Sequence, residues 1–594
     1  MLSDLGEEDM DIEKLVRAAK GEVPCDLLIK GTRLVNVNTG EVQEGTNVAV
    51  AGERIAYIGE EELPAIEVFD AAGRYAIPGL IDTHVHIESS QVTPPMFAES
   101  VLVRGTTTIA FDPHEIGNVL GKEGVKLMVE ATRGLPLKAF WMVPSCVPSA
   151  EGVETAGAEF FAEDVAEMLG WERAVGVAEI MDYDGVTNLR QRMVEIIGEG
   201  RKRGVVLDGH CVDLKGRELN AYVATGIEAC HENFFAEQVL AKLRAGMEYV
   251  KVRNIELMSY FVPPERREAY MKAFVDGLNL VPDKRGILFC TDDIMPDVLL
   301  EHGHLDGVLR AAIEHGYDPI KAIQGATISC AAHLRLHDLG AVAPGCFADV
   351  LLLDDLKRFE VTAVFANGRL VAKHGRLLDR IPAWEFPEFA KKTVKLVEPR
   401  EEDFLIRAPI REGKVKVRAM DLSTVFSGFV VREAEVKDGF VQPGGLTTVA
   451  VFERHGRNGN RNLALAQNGL ERGAIASTIG HDSHNLSVMG RSPGDMKLAA
   501  KALLDAQGGV SVVCDGELRA LLPLPVAGLM SEERTEVVAE GMRKVRRELR
   551  KLGRDEPWFL TIWTISIPVG PGGRVTDRCL IDGNLQREVS LFVE

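Results

Sequence analysis

Pro78-Gly79-Leu80-Ile81-Asp82-Thr83-His84-Val85-His86 is an apolar, β-branched run entered through Pro-Gly, the pattern of a buried strand. Side chains alternate faces along a strand, so His84 and His86 point the same way and can grip one ion. Alone the pair is weak, because most His-x-His pairs are coincidental or structural. Its weight comes from what lies downstream.

Seven further strand-like runs follow, alternating with longer helical stretches. They are TTIAFD (107–112), AFWMVP (139–144), AVGVAE (174–179), VVLDGH (205–210), GIEACH (226–231), YVKVR (249–253) and GILFCTD (286–292). Eight β/α units in about 250 residues is the size of a (β/α)8 barrel, whose strand C-termini open on one catalytic mouth. An open doubly wound sheet would also carry polar residues at its strand ends. The strand count and the chemistry at those ends favour the barrel.

His84, His86, Glu179, His210, His231 and Asp292 stand at the ends of five of these strands. Each has a dull explanation on its own: His210 as a helix cap, His231 as a satisfied core histidine, Glu179 as the partner of a surface lysine. Together, four imidazoles and two carboxylates suit two divalent ions sharing a bridging carboxylate. Such a pair lowers the pKa of a bound water from about 15.7 towards 7. The chemistry implied is metal-assisted hydrolysis.

Outside the barrel region, residues 80–335, short β-runs broken by Gly and Asn occur on both sides. Residues 23–79 and 336–385 therefore read as one small β-sandwich into which the barrel is inserted. Residues 1–22 read as an acidic helical lead-in, and 400–594 as a C-terminal α/β domain. The fold class expected is α/β.

Among the 594 residues 46% are hydrophobic, and no apolar run is long enough to span a membrane. The acidic start predicts no leader peptide. A formal charge of -21 excludes nucleic-acid backbones as the main partner. Nine scattered cysteines without a CxxC pair fit a reducing cytoplasm. A homo-oligomer, dimer or larger, is the expectation for such an enzyme.

Several stretches carry a resemblance to the amidohydrolase superfamily and, within it, to its adenine deaminase branch. They are PGLIDTHVHIESS (78–90), GTTTIAFDPHEIGNVLG (105–121), MVPSCVPS (142–149), AEIMD (178–182), Asp208-Gly209-His210, CTDD (290–293) and IASTIGHDSHNL (475–486). The resemblance covers nearly the whole chain. It implies that His84, His86, His210, His231 and Asp292 ligate two divalent metals, with Mn or Fe favoured and Zn allowed. Glu179 would bridge them, where many relatives use a carboxylated lysine. Asp292 would accept the proton of the attacking water, and Glu232 would move protons on and off a purine ring. Glu115 would act beside the substrate, His114 and Asp112 would contact it, and Asp293 would either contact it or cap a helix N-terminus. The reaction implied is attack of hydroxide on C6 of adenine, followed by loss of ammonia to give hypoxanthine.

The turn bearing His481, Asp482 and His484 has two readings: a substrate-binding wall of the barrel mouth, or a structural turn whose side chains bond their own backbone. Met295, Arg253-Asn254, Cys211 to Leu214, and Cys230 depart from the family pattern. These departures leave the metal ligands intact and fall on the substrate side. Another purine or cyclic amidine therefore stays open as substrate, as does a dihydroorotase-like amide hydrolase. A non-catalytic barrel scaffold is the alternative from a different class. A zinc deaminase of the P-C-x-x-C type is excluded, because that motif is absent.

Overall fold

The computed structural model describes residues 12–424, 426–554 and 562–593. Its centre is a parallel eight-stranded barrel: β1 (Leu80–Val85), β2 (Thr106–Phe111), β3 (Lys138–Val143), β4 (Ala174–Ile180), β5 (Val206–Gly209), β6 (Ala229–Cys230), β7 (Tyr249–Val252) and β8 (Ile287–Phe289). Each strand pairs in parallel with the next. Every residue of β1, β2 and β3 is buried, as a strand covered on both faces requires. The eight runs read from the sequence are these eight strands, although β6 shrinks to two residues.

Closure comes through a parallel bridge between Val85 and Asp292. The amide of Asp292 donates to the carbonyl of His84 at 3.0 Å. Inside the barrel, buried Lys251 pairs with Asp208 and donates to the Thr83 carbonyl at 2.9 Å. His333 Nε2 reaches the other Asp208 oxygen at 3.2 Å. These charges are buried but matched, the condition for tolerating them in a core.

The two flanks meet in one nine-stranded sheet. Its seam is Tyr75–Pro78 lying antiparallel to Val350–Leu353. Leu34, Val48 and Ile55 from the first flank share a core with Val350, Leu352 and Phe365 from the second, which makes the unit sandwich-like. Gly79 turns the chain from that seam into β1. A Cβ there would lie 2.1 Å from Thr107 Oγ1, so no larger residue fits. The lead-in helix is observed as Ile12–Ala19, and residues 1–11 of the expected segment lie outside the described residues.

A ten-stranded sheet occupies the C-terminal region. The helix Thr535–Lys551 bonds to the barrel through Arg546 Nε, 2.7 Å from Asp297 Oδ2. Between strands Ala474–Ser477 and Leu486–Gly490 of this sheet runs the turn 478–485, aimed at the barrel mouth. No helix among the described residues is long and apolar enough to cross a membrane.

Candidate metal centre and cavity

The six strand-end residues converge on Glu179. One of its oxygens, Oε1, is 3.3 Å from His86 Nε2, while Oε2 is 2.6 Å from His210 Nδ1 and 3.3 Å from His231 Nε2. Asp292 Oδ1 lies 3.3 Å from both His84 Nε2 and His86 Nε2. The alternation of β1 thus puts both histidines on one carboxylate. The His84 and His231 rings stack with centroids 3.9 Å apart.

Several of these separations are too long for charge-assisted hydrogen bonds, which run about 2.7–2.9 Å. They match the edge of a tetrahedron: ligand atoms about 2.1 Å from a metal stand about 3.4 Å apart. His84 Nε2 is buried and has no hydrogen-bond partner among the described residues. The Asp112 carbonyl lies 3.2 Å from His86 Nδ1, so it takes the proton there and leaves the lone pair on Nε2, inside the cluster. The donor set therefore fits a divalent metal centre.

Electrostatics point the same way. Burial and the nearby His231 lower His84 to a pKa of about 4, which keeps it a neutral donor. Burial opposes charge on His210 too, yet the carboxylates of Glu232 and Glu179 push it up to about 9. Burial works to raise Glu179, but His210, His231 and His86 hold it well below the usual carboxylate range. The carboxylates here demand positive charge.

A cavity of about 400 Å³ opens over this centre, near the small end of ligand clefts. Its floor includes His86, Glu179, His210 and Asp292. Glu232, Asp293, His114, His481 and Asp482 also line it. His114 Nδ1 is 2.9 Å from Asp112 Oδ2, and its Nε2 is 3.6 Å from Asp482 Oδ1. Glu115 lies behind the lining: Ser89 Oγ donates to it at 2.6 Å and also bonds to Asp293. Asp112 and His484 stand behind the lining as well.

The C-terminal turn therefore enters the mouth through His481 and Asp482. Its support is the second polar cluster of that region. Arg454 is fully buried, bonds to the His484 carbonyl and donates to the Ala527 carbonyl at 2.9 Å. His455 Nε2 lies 2.8 Å from the Ser483 carbonyl. Glu453 Oε2 accepts the amides of Arg457, Asn458 and Gly459 at 3.0–3.1 Å.

Arg253 has a larger place than its sequence context indicated. One guanidinium nitrogen, Nη1, bridges Glu232 Oε1 at 2.8 Å and Asp292 Oδ2 at 2.6 Å. Its Nε and Nη2 are buried without hydrogen-bond partners among the described residues, and the side chain lines the cavity. The signal was present, a cation ending a barrel strand, but a search for metal ligands passes over arginine. Phe234, Phe261 and Phe426 also escaped notice; they form an aromatic wall, with Phe234 and Phe426 centroids 4.7 Å apart.

Comparison with known proteins agrees with this architecture. The amidohydrolase family model matches residues 75–371, and the adenine deaminase C-terminal domain model matches residues 425–587. An adenine deaminase of Moorella thermoacetica is 42% identical over 585 residues, covering 96% of each chain. Adenine deaminase 2 of Rhizobium meliloti is 39% identical, covering 96% of this chain and 95% of its own. An adenine deaminase of Clostridium botulinum is also 39% identical, covering 98% and 97%. Both family models fall on the regions that build the centre and its wall, and the chain belongs to the adenine deaminase family of the amidohydrolases.

Proposed function

We propose that the protein hydrolyses adenine to hypoxanthine and ammonia. The carrying observation is the arrangement of Glu179 between two imidazole groups, with the Arg253-linked pair Asp292 and Glu232 facing the same cavity. The relatives' names supply the substrate.

In this reading His84, His86, His210, His231 and Asp292 would hold two divalent ions, with Glu179 shared between them. Manganese or iron is favoured, and zinc also suits the ligand set. The bound pair supplies an ionised water at neutral pH. Asp292 takes the proton released as the water adds to C6 of the purine. Glu232 delivers a proton to the ring, which stabilises the adduct, and protons return through the same carboxylates to the departing ammonia. Arg253 fixes both carboxylates, so the groups need no reorientation during reaction.

The aromatic wall excludes water from one face of a planar ring. Asp293, His114, His481 and Asp482 offer acceptors and donors to its edge. Glu115 orients Asp293 through Ser89. Asp112 and His484 act from behind, Asp112 by fixing His114 and His484 by shaping the turn. The parts divide as residues 80–335 for chemistry, 23–79 with 336–385 as scaffold, and 400–594 as cavity wall, with 1–22 a lead-in. We assign the working enzyme to the cytoplasm as a homo-oligomer.

Ammonia release by metal-loaded protein, measured over a panel of purines, pterins and cyclic amides, tests the reading. Turnover of adenine above the other compounds supports it. Turnover elsewhere with none on adenine removes the substrate assignment, and no turnover with bound metal removes the hydrolase.

A further inference from the structure

We propose that Cys211 and Cys230 form an oxidative modification site, where a peroxide closes a disulfide between the segments carrying His210 and His231. All nine cysteines are free, and most are isolated from one another. These two are the exception: their sulfurs lie 3.7 Å apart, and both are buried. Reaching a bond of about 2.05 Å takes an approach of about 1.7 Å.

The pairing follows from the barrel. Gly209 in β5 is in register with Cys230 in β6, and Cys211 comes two residues later. The Cys211 amide already donates to the Cys230 sulfur at 3.3 Å. A second feature marks this pair as more than packed thiols. The ammonium of Lys242, itself buried, is 3.2 Å from Cys230 Sγ. Its other partners are the Glu232 carbonyl at 2.5 Å and Asn233 Oδ1 at 3.2 Å. Lys242 thereby fixes the Cys230 sulfur in place beside Cys211. The cavity is lined by His210 and Val212 on either side of Cys211 and by Glu232 two residues beyond Cys230, and the two sulfurs lie behind that lining.

The chemistry balances with hydrogen peroxide as oxidant. The Cys230 sulfur attacks one peroxide oxygen, the O–O bond breaks, and one water leaves a sulfenic acid behind. The Cys211 sulfur then attacks that sulfur, the S–S bond forms, the S–O bond breaks, and a second water departs. Two thiols lose two electrons, and one peroxide gains them. Closure draws both histidine-bearing segments together and displaces His210 and His231 from Glu179. This last consequence rests on the metal-centre reading above; the cross-link itself does not.

The test uses the full chain loaded with zinc, which has no redox chemistry of its own. After brief hydrogen peroxide treatment, alkylation without reductant and peptide mass analysis should find a peptide joining Cys211 to Cys230, lighter than the two thiols by about 2 Da. Zinc content should fall, ammonia release from adenine should drop about tenfold, and dithiothreitol should restore both on zinc addition. Cys211→Ser should keep its basal activity and resist peroxide; Cys230→Ser should likewise form no cross-link. Alkylation of both thiols after treatment would overturn the site, as would a Lys242–Cys230 link in its place. Equal inactivation of Cys211→Ser would overturn the coupling to the centre. Cross-link and zinc are read without substrate, so they separate this inference from the adenine assignment.

Discussion

Asp292 meets His84 twice: its amide donates to the His84 carbonyl at 3.0 Å, and its Oδ1 lies 3.3 Å from His84 Nε2. The hydrogen bond that closes the barrel and the approach that forms the ligand set therefore involve the same two residues. Asp292 adopts a left-handed backbone, φ 58°, which aspartate tolerates better than most residues. The fold and the chemistry share a joint here, and rigidity at that joint is what a preorganised centre needs.

Glu179 carries the heaviest prediction. Glu179→Gln keeps the shape but leaves one oxygen and an amide facing His86, His210 and His231. The variant should lose at least one metal per chain and activity by more than about a hundredfold, since even supporting residues cost 10–100-fold. Metal analysis after gel filtration reads this, and retention of both ions would refute the bridge.

Arg253→Lys tests the positioning role of the guanidinium. One lysine ammonium cannot reproduce a planar fork with further donors facing the cavity. With metal content unchanged, kcat should fall by about 100–1000-fold, the range for losing one preorganised donor. A wild-type kcat would show that Glu232 and Asp292 need no such anchor.

Much of this was legible in the sequence because barrel strands advertise themselves. Their continuous apolar runs and polar ends are local features, and His84, His86, Glu179, His210, His231 and Asp292 could be collected without knowing any contact. Arg253 was legible as a departure on the substrate side, but its partners were not, because it reaches Glu232 and Asp292 from a third strand. The entry of His481 and Asp482 into the mouth, with His484 left behind, depends on docking between segments hundreds of residues apart. No local pattern encodes that. Nor did the sequence separate the Arg454 cluster, which supports the turn, from the turn that lines the cavity.

Lys251→Met isolates the barrel interior from the chemistry above it. It strands the buried carboxylate of Asp208, whose remaining partner is His333. Removing one member of a buried pair costs about 3–5 kcal/mol. Denaturant unfolding should show a loss of that order, and a loss under about 1 kcal/mol would contradict the assigned pairing.

Glu154 sets a pH dependence of stability. Burial and the charge of Asp482 push it up to about 8. Its folded pKa is above its unfolded value of about 4.3, so the fold binds a proton that the unfolded chain releases. The stability it contributes is full below about pH 4.3 and declines as pH rises through about 8. Glu154→Gln imitates the protonated form and should flatten the decline between pH 5.5 and pH 8.5. Parallel unfolding curves for both proteins across that interval would contradict it.

A two-ion centre that deaminates adenine is tested by titrating metal-free protein with Mn(II) while hypoxanthine and ammonia are followed together. Activity should be negligible without metal, rise until two ions are bound per chain, and yield equal amounts of both products. Full activity at one ion per chain, or turnover of adenine with no metal at all, would contradict it.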